Sequence, residues 1–297
     1  MNLSDCLMGK VVVINGATSG IGLVAAEQLA EYGERLVLIA RDKARGETAL
    51  ERLRERAADP GHRVQYANLS RLIDMKRAAL QIAATEPRID ILINNASAIF
   101  SHREITSDGL EQTFALNHMA YFVLTEGLRE RLIAAAPSRV INTASNAHRK
   151  GHLDFDDLQS ENNYSASKAY GTSKLCNILF TRELARRLAE TKVTANCFSP
   201  GFVATHFGNE AGGLTGVALR VGKLFAKTPE EGARTLTYLA TSPEVGEVSG
   251  EFFYKCSPGM ITAEARDDGA SRRLWQESER ILYGRGNRNI EFQGEMQ

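Results

Sequence analysis

From residue 10 onward, short runs rich in β-branched residues alternate with longer amphipathic stretches, and that alternation is the strongest constraint the chain places on its own fold. The runs are 10–15 (KVVVIN), 35–40 (RLVLIA), 63–67 (RVQYA), 89–94 (IDILIN), 139–144 (RVINTA), 193–198 (VTANCF) and 251–254 (EFFY). Helix candidates lie between them at 21–32, 43–56, 72–85, 108–135, 166–190 and 229–241, with a further one at 268–283. Strands separated by helices read as βαβ units, in which the strands pair in parallel and the helices cover the faces. The expected fold is α/β: a doubly wound parallel sheet of about seven strands with helices on both faces.

At 297 residues the chain is about twice a ~150-residue domain, so two small domains or one large one would fit. No Pro/Ser-rich linker, repeat or low-complexity block divides it. One domain over 1–260 is expected, followed by a C-terminal helix and a flexible polar tail over 261–297. Thirty-six Lys and Arg balance thirty-six Asp and Glu without a long run of one sign, which argues against a nucleic acid or an anionic membrane as main partner. Hydrophobic residues at 43% and charged residues at 24% exclude disordered, collagen-like and coiled-coil classes. Cys6, Cys176, Cys197 and Cys256 form no CxxC pair, so neither a zinc site nor a disulfide framework is expected. The start, MNLSDCLMGK, lacks a basic region followed by an apolar stretch, and no run approaches the ~18 apolar residues of a membrane span. The expectation is a cytoplasmic protein without a membrane partner.

The first βα turn reads Asn15-Gly16-Ala17-Thr18-Ser19-Gly20-Ile21-Gly22. Glycines at this spacing let backbone approach a pyrophosphate, toward which the next helix aims its N–H groups and positive dipole end. Alone the pattern could be a tight turn; its place gives it meaning, because open α/β sheets hold dinucleotides at the first βα turn. The second run ends Ala40-Arg41-Asp42. A carboxylate at this point accepts from a ribose 2′-OH, whereas an Arg accommodates a 2′-phosphate, so Arg41 points to NADP(H). The alternative is a solvated Arg-Asp surface pair.

Asn94-Asn95-Ala96 closes the fourth run, Asn117 lies in the helix that follows, and Ser145 stands at the end of the fifth, where ligands of doubly wound folds bind. Tyr170 and Lys174, four apart, share one helical face, and a nearby ammonium favours the phenolate of a group whose free pKa is ~10. Tyr164 and Lys168 make an overlapping copy. Tyr164, however, follows a polar run that reads as loop or helix entry, while Leu175, Ile178, Leu179, Ala185 and Leu188 trace an apolar stripe that anchors the Tyr170 segment. Tyr170 is the expected catalytic phenol. His148 and His152 could be taken for a metal pair, but Gly151 between them and the lack of a nearby acidic ligand motif favour a loop with exposed imidazoles.

Taken in order, NGATSGIG, NNA, Asn117, Ser145, YxxxK and Pro200-Gly201 with Thr205 resemble the short-chain dehydrogenase/reductase family over roughly residues 8–255. FALNHMAYFVLT, KAYGTSKLCNILFTRELARRL and the tail around Arg272-Arg273-Leu274-Trp275 are similar to its retinol dehydrogenase-like branch, and YGTSKLCN is also similar to the protochlorophyllide reductase branch. The resemblance implies a Rossmann-type fold and an NADP(H) cofactor. It implies that Tyr170 gives the proton, that Ser145 holds the same substrate oxygen, that Lys174 lowers the Tyr170 pKa and holds the nicotinamide ribose, and that Asn117 anchors a water. Cofactor contacts are implied for Gly16, Thr18, Ser19, Gly20, Ile21, Gly22, Arg41, Asn68, Leu69, Asn95, Ala96, Tyr170, Lys174, Pro200, Gly201, Val203 and Thr205, the last binding the carboxamide. The chain departs from the family at Asn15, usually Thr, at Ser97, usually Gly, and at Asn68, commonly an Asp that contacts adenine. The Asn68 oxygen could still accept from the adenine amino group. No counterpart of the membrane anchor of eukaryotic branch members is read in the sequence, in keeping with the expectation of no membrane partner. Members often pair through the two long helices, so a homodimer or homotetramer is open.

Residues 201–227 break the alternation, with five glycines after Gly201 among Phe202, Phe207, Leu214, Leu219, Leu224 and Phe225. They read as a lid over a substrate pocket or, equally, as a surface excursion with its own small helix. Their apolar content predicts a lipophilic rather than a phosphorylated small-molecule substrate. The expected function is NADP(H)-dependent interconversion of a carbonyl and an alcohol. A C=C reductase and a non-catalytic NADP(H)-binding sensor are the alternatives.

Overall fold

The computed structural model describes residues 9–56, 60–201 and 228–284. Its first half runs β1 Val11–Asn15, α1 Gly20–Glu31, β2 Arg35–Ala40, α2 Lys43–Arg56, β3 Arg63–Tyr66, α3 Leu72–Thr85 and β4 Ile91–Asn94. Helix α4 spans 112–134 in three parts: an opening turn Gln112–Phe114, a π turn Ala115–Met119 and an α-helical body Ala120–Ala134. Then come β5 Ser138–Thr143, α5 Ala166–Arg187, β6 Val193–Ser199, α6 Pro229–Thr241, β7 Phe252–Tyr254, β8 Ser257–Pro258 and α7 Asp268–Tyr283. The strands form one sheet in the order β3-β2-β1-β4-β5-β6-β7-β8, parallel except for β8.

Successive residues of a strand feed opposite layers. In β1, Val11 and Val13 join the core made with α3, α4, α5 and α7, whereas Val12 and Ile14 join the one made with α1, α2 and α6. In β2, Val37 and Ile39 part from Leu36 and Leu38 in the same way. A strand covered on both faces needs apolar residues at every position, which is why these runs are continuously hydrophobic. Strand order reverses between β1 and β4, and that reversal opens the crevice in which such sheets bind ligands.

Beyond shifts of one or two residues at strand and helix ends, the structure differs from the sequence reading in one added strand and two helix bounds. An eighth strand, Ser257–Pro258, pairs antiparallel with β7, and its two residues carry no β-branched signal. Helix α4 begins at Gln112 rather than 108, because Gly109 has φ 75° and the Glu111 carboxylate caps the helix, accepting the N–H groups of Thr113 at 2.9 Å and Phe114 at 2.8 Å. Helix α5 ends at Arg187 rather than 190.

Helix α7 belongs to the core and is not an appendage after residue 260. Its N-cap Asp267 accepts the N–H groups of Gly269 and Ala270. Trp275, 2% exposed, meets Phe122 of α4 edge-on at 4.9 Å and stacks on Phe180 of α5 at 5.7 Å, with the Arg187 guanidinium over its ring at 4.3 Å. Among the described residues no helix is long and apolar enough to cross a membrane, and no cluster of three His, Cys, Asp or Glu could hold a metal. Residues 202–227, with Val203 and Thr205, and the tail 285–297 lie outside the described residues.

Candidate active site

The loop between β1 and α1 can close only because it is glycine. Gly16 and Gly20 have φ 70° and 57°, and a Cβ on Gly22 would stand 2.2 Å from the Gly16 carbonyl oxygen. Ser19 is the N-cap of α1, yet its side chain accepts no helix N–H. The first-turn donors of α1 are therefore left for an anion, at the sheet's switch point and beside the exposed Arg41 at the end of β2. These features fit a dinucleotide whose pyrophosphate sits on the α1 N-terminus.

Asn15 explains its own departure from the family. Its Oδ1 accepts the N–H groups of Asn95 at 2.8 Å and Ala96 at 2.6 Å, so one side chain pins the turn after β4 by two bonds, while its Nδ2 donates to Asn94 Oδ1 at 2.9 Å. From Asn94 a buried polar row continues, Nδ2 donating to Asn142 Oδ1 at 2.9 Å and Asn142 Nδ2 to Thr181 Oγ1 at 3.0 Å. Asn95 Nδ2 donates to the Gly16 carbonyl at 3.0 Å, which joins the glycine loop to the NNA turn. Asn68 is different. Its Oδ1 already accepts from Ser70 N–H at 3.2 Å and Ser70 Oγ–H at 2.8 Å, so the acceptor expected for the adenine amino group is engaged and the remaining polar atom, the amide nitrogen, is a donor.

The four expected catalytic residues come together at the carboxyl ends of β4 and β5, against α4 and α5. Ser145 caps the 3₁₀ turn Asn146–Lys150, its Oγ accepting Ala147 N–H at 3.1 Å, and its hydroxyl faces the Tyr170 phenol and pulls that group's pKa down. Burial pushes that phenol well above its ordinary range, and the Ser145 contact only partly offsets this. Lys174 is fully buried; its Nζ donates to the Thr143 carbonyl at 3.0 Å and lies 5.5 Å from the Tyr170 ring centre. Burial lowers this ammonium to about 7. The expected lowering of the Tyr170 pKa by Lys174 is thus corrected: desolvation dominates, and the charge is turned toward Thr143. Asn117 sits in the π turn. Its Oδ1 accepts Ala98 N–H, and its Nδ2 donates to the Ala98 carbonyl and to Ser173 Oγ, all within 3.0 Å. Both amide protons are used, and Oδ1 keeps one lone pair that a water could occupy.

Tyr164 lies before α5, as its polar surroundings suggest, and donates to the Phe100 carbonyl at 2.9 Å. His148 is corrected: it is buried rather than exposed, with Nδ1 2.7 Å from the Ser145 carbonyl and its ring edge-on to Phe252 at 5.3 Å. His152 is exposed, beside Glu264 at 3.1 Å. One feature of the site escaped the sequence reading: the π turn that carries Asn117, which no local pattern announces.

Residues 10–212 match the short chain dehydrogenase family, and the chain belongs to that family. Its members are oxidoreductases that use a nicotinamide dinucleotide, and the present chain is one acting between CH–OH and C=O groups. Human retinol dehydrogenase 14 is 40% identical over 291 residues, spanning 91% of this chain and 85% of the relative. Human retinol dehydrogenase 13 is 39% identical over 280 residues, spanning 92% and 85%. Among solved structures, an uncharacterised protein from Mycobacterium paratuberculosis aligns with a TM-score of 0.74 at 30% identity, over 94% of this chain and 96% of that one. The active-site complex of Pseudomonas aeruginosa RhlG with NADP aligns with a TM-score of 0.68 at 25% identity, over 85% and 97%.

Proposed function

We propose that the protein interconverts a carbonyl and an alcohol with NADP(H), on a lipophilic substrate, with Tyr170 as the proton donor and acceptor. The observation that carries this reading is the Ser145 hydroxyl facing the Tyr170 phenol, with Lys174 buried beside them and its Nζ 5.5 Å from the Tyr170 ring centre. The glycine loop and the α1 N-terminus would hold NADP(H), which would supply or receive the hydride. Tyr170, kept protonated by burial, gives its proton to the developing alkoxide, and Ser145 donates a hydrogen bond to the same oxygen. Support for a lipophilic substrate comes from the retinol dehydrogenase relatives and from the Phe and Leu side chains of 202–227. Exposed Arg41 supports NADP(H) over NAD(H). The buried free thiols of Cys176 and Cys197 suit a reducing, cytoplasmic setting.

The test is a screen of aldehydes and ketones with NADPH and NADH in parallel, with the products identified. Long-chain and aromatic carbonyls should be reduced to alcohols, faster with NADPH. Saturation of a C=C bond instead, or better turnover of short charged oxo-acids, would overturn the reading. A guanidinium on the 2′-phosphate contributes ~1.5–3 kcal/mol, about 10- to 150-fold in affinity, so Arg41→Asp should lose most of that preference.

A further inference from the structure

We propose that Arg45, in the first turn of α2, is a second cation of the cofactor site and that with Ser19 it reads a phosphate monoester on the ribose 2′ position. The inference rests on the NADP(H) reading and extends it to a residue outside the family's motifs. The first observation is the use to which Ser19 is put. An N-cap serine ordinarily accepts from its own helix. Ser19 does not, and its Oγ accepts instead from Arg45 Nη2 at 3.1 Å, across from the loop after β1 to the helix after β2. Because β1 and β2 are adjacent and parallel, their carboxyl ends lie side by side, and this bond closes the gap between them.

The second observation is what Arg45 does not do. Among the described residues neither Arg41 nor Arg45 has a carboxylate within ion-pair distance, although further along the same helix Arg52 and Arg56 both pair with Glu27. The acids nearest in sequence are engaged elsewhere. Asp42 Oδ1 accepts the Arg45 backbone N–H at 2.8 Å, which caps α2, and Glu47 accepts the Tyr66 hydroxyl at 2.6 Å. The Arg45 guanidinium thus rests on the Ser19 hydroxyl without an ion-pair partner among the described residues, and Arg41, four residues before it at the end of β2, likewise has none among them.

A guanidinium that gives one N–H to a hydroxyl keeps four others, in a planar fork that matches two phosphate oxygens. The Ser19 hydroxyl accepts from Arg45 and keeps its own proton to donate to the same phosphate. A 2′-hydroxyl in that position offers Arg45 no charge to neutralise, so the residue separates the two cofactors rather than tightening both. It follows that Arg41→Asp alone leaves part of the NADPH preference in place.

The test is equilibrium titration of the full chain with NADPH and with NADH, followed by cofactor fluorescence and needing no turnover, for the wild type, Arg45→Gln, Arg41→Gln and the double variant. Arg45→Gln should weaken NADPH about 10-fold, in line with a lost charge-assisted pair, while the NADH affinity moves by no more than about twofold. The double variant should fall below either single one. Competition by 2′,5′-ADP against 5′-AMP should show the same loss. An Arg45→Gln variant whose NADPH to NADH affinity ratio equals that of the wild type, including one that weakens both cofactors equally, overturns the proposal while leaving the NADP(H) reading intact. A wild type that binds NADH as tightly as NADPH overturns that reading, and the role of Arg45 with it.

Discussion

Gly151 and Gly171 meet backbone to backbone: a Cβ added to Gly151 would fall 2.5 Å from the Gly171 carbonyl carbon, and one added to Gly171 would fall 2.9 Å from the Ala147 carbonyl oxygen. Gly151 ends the turn that follows Ser145, and Gly171 directly follows Tyr170, so this contact sets how far the Ser145 and Tyr170 side chains stand apart. Thr172 and His152 fasten it, Thr172 Oγ1 donating to the His152 carbonyl at 2.9 Å and accepting the His152 N–H at 3.3 Å.

Gly171→Ala should therefore spread Ser145 from Tyr170 without disturbing the β1–α1 loop. Misplacement of a catalytic pair by about 1 Å costs roughly 100-fold in rate, and that is the fall expected in kcat. NADPH affinity, measured by titration of the same variant, should stay within a few-fold of the wild type. Equal losses in both would show that the contact serves general folding.

Tyr170→Phe removes the proton donor and should cut turnover by ~10²–10⁴-fold with little loss of NADPH affinity. Tyr164→Phe removes only the hydrogen bond to Phe100, worth about 1 kcal/mol of stability, and should stay within a few-fold of wild-type turnover. Steady-state kinetics of the two variants decides between the phenols, and the reverse ranking would transfer the role to Tyr164.

Asn68→Asp supplies a second acceptor oxygen while the first stays on Ser70. The adenine amino group would gain a partner in place of a competing donor, and NADPH should bind roughly 5- to 10-fold more tightly, as expected for one charge-assisted hydrogen bond. Fluorescence titration checks this; unchanged affinity would mean that the side chain does not face adenine.

Glu34 gives the fold an acid-favouring stability. It is fully buried, neither carboxylate oxygen has a hydrogen bond, and burial pushes its pKa from 4.5 to about 8, against the pull of Lys10 and Arg139 and with a further push from Asp90. Between these two values the unfolded chain has released a proton that the folded chain keeps, so stability falls as pH rises through that window, by about 3 kcal/mol at pH 7. Urea denaturation should show the wild type losing stability from pH 5 to pH 8 and Glu34→Gln losing much less. A wild type that gains stability over that range would contradict the assignment.

The sheet was readable because both of its faces are covered, so each strand shows as an unbroken apolar run and each helix as a stripe. Two-residue β8 has neither, and the start of α4 depends on the Glu111 cap and on Gly109, whose effect is geometric rather than periodic. Within the site, Ser145, Tyr170 and Lys174 stand at spacings that local chemistry can interpret. The directions in which Lys174 and Asn68 point depend on Thr143 and Ser70, one distant in sequence and the other a near neighbour whose hydroxyl competes for the same oxygen. His148 reads as loop because Gly151 separates it from His152, while its ring turns inward onto Phe252.

The seat of Trp275 between Phe122 and Phe180 bears on assembly. A second copy pressing against α4 and α5 there would find the place taken, and pairing of that kind would have to lift a buried indole together with the Arg187 guanidinium laid across it. Within one chain the part of the α4 and α5 faces around Phe122 and Phe180 is thus already covered by Trp275. The residues responsible lie after position 212, beyond the stretch that identifies the family, so a truncation that keeps every recognisable motif would still strip the catalytic helices of their outer wall.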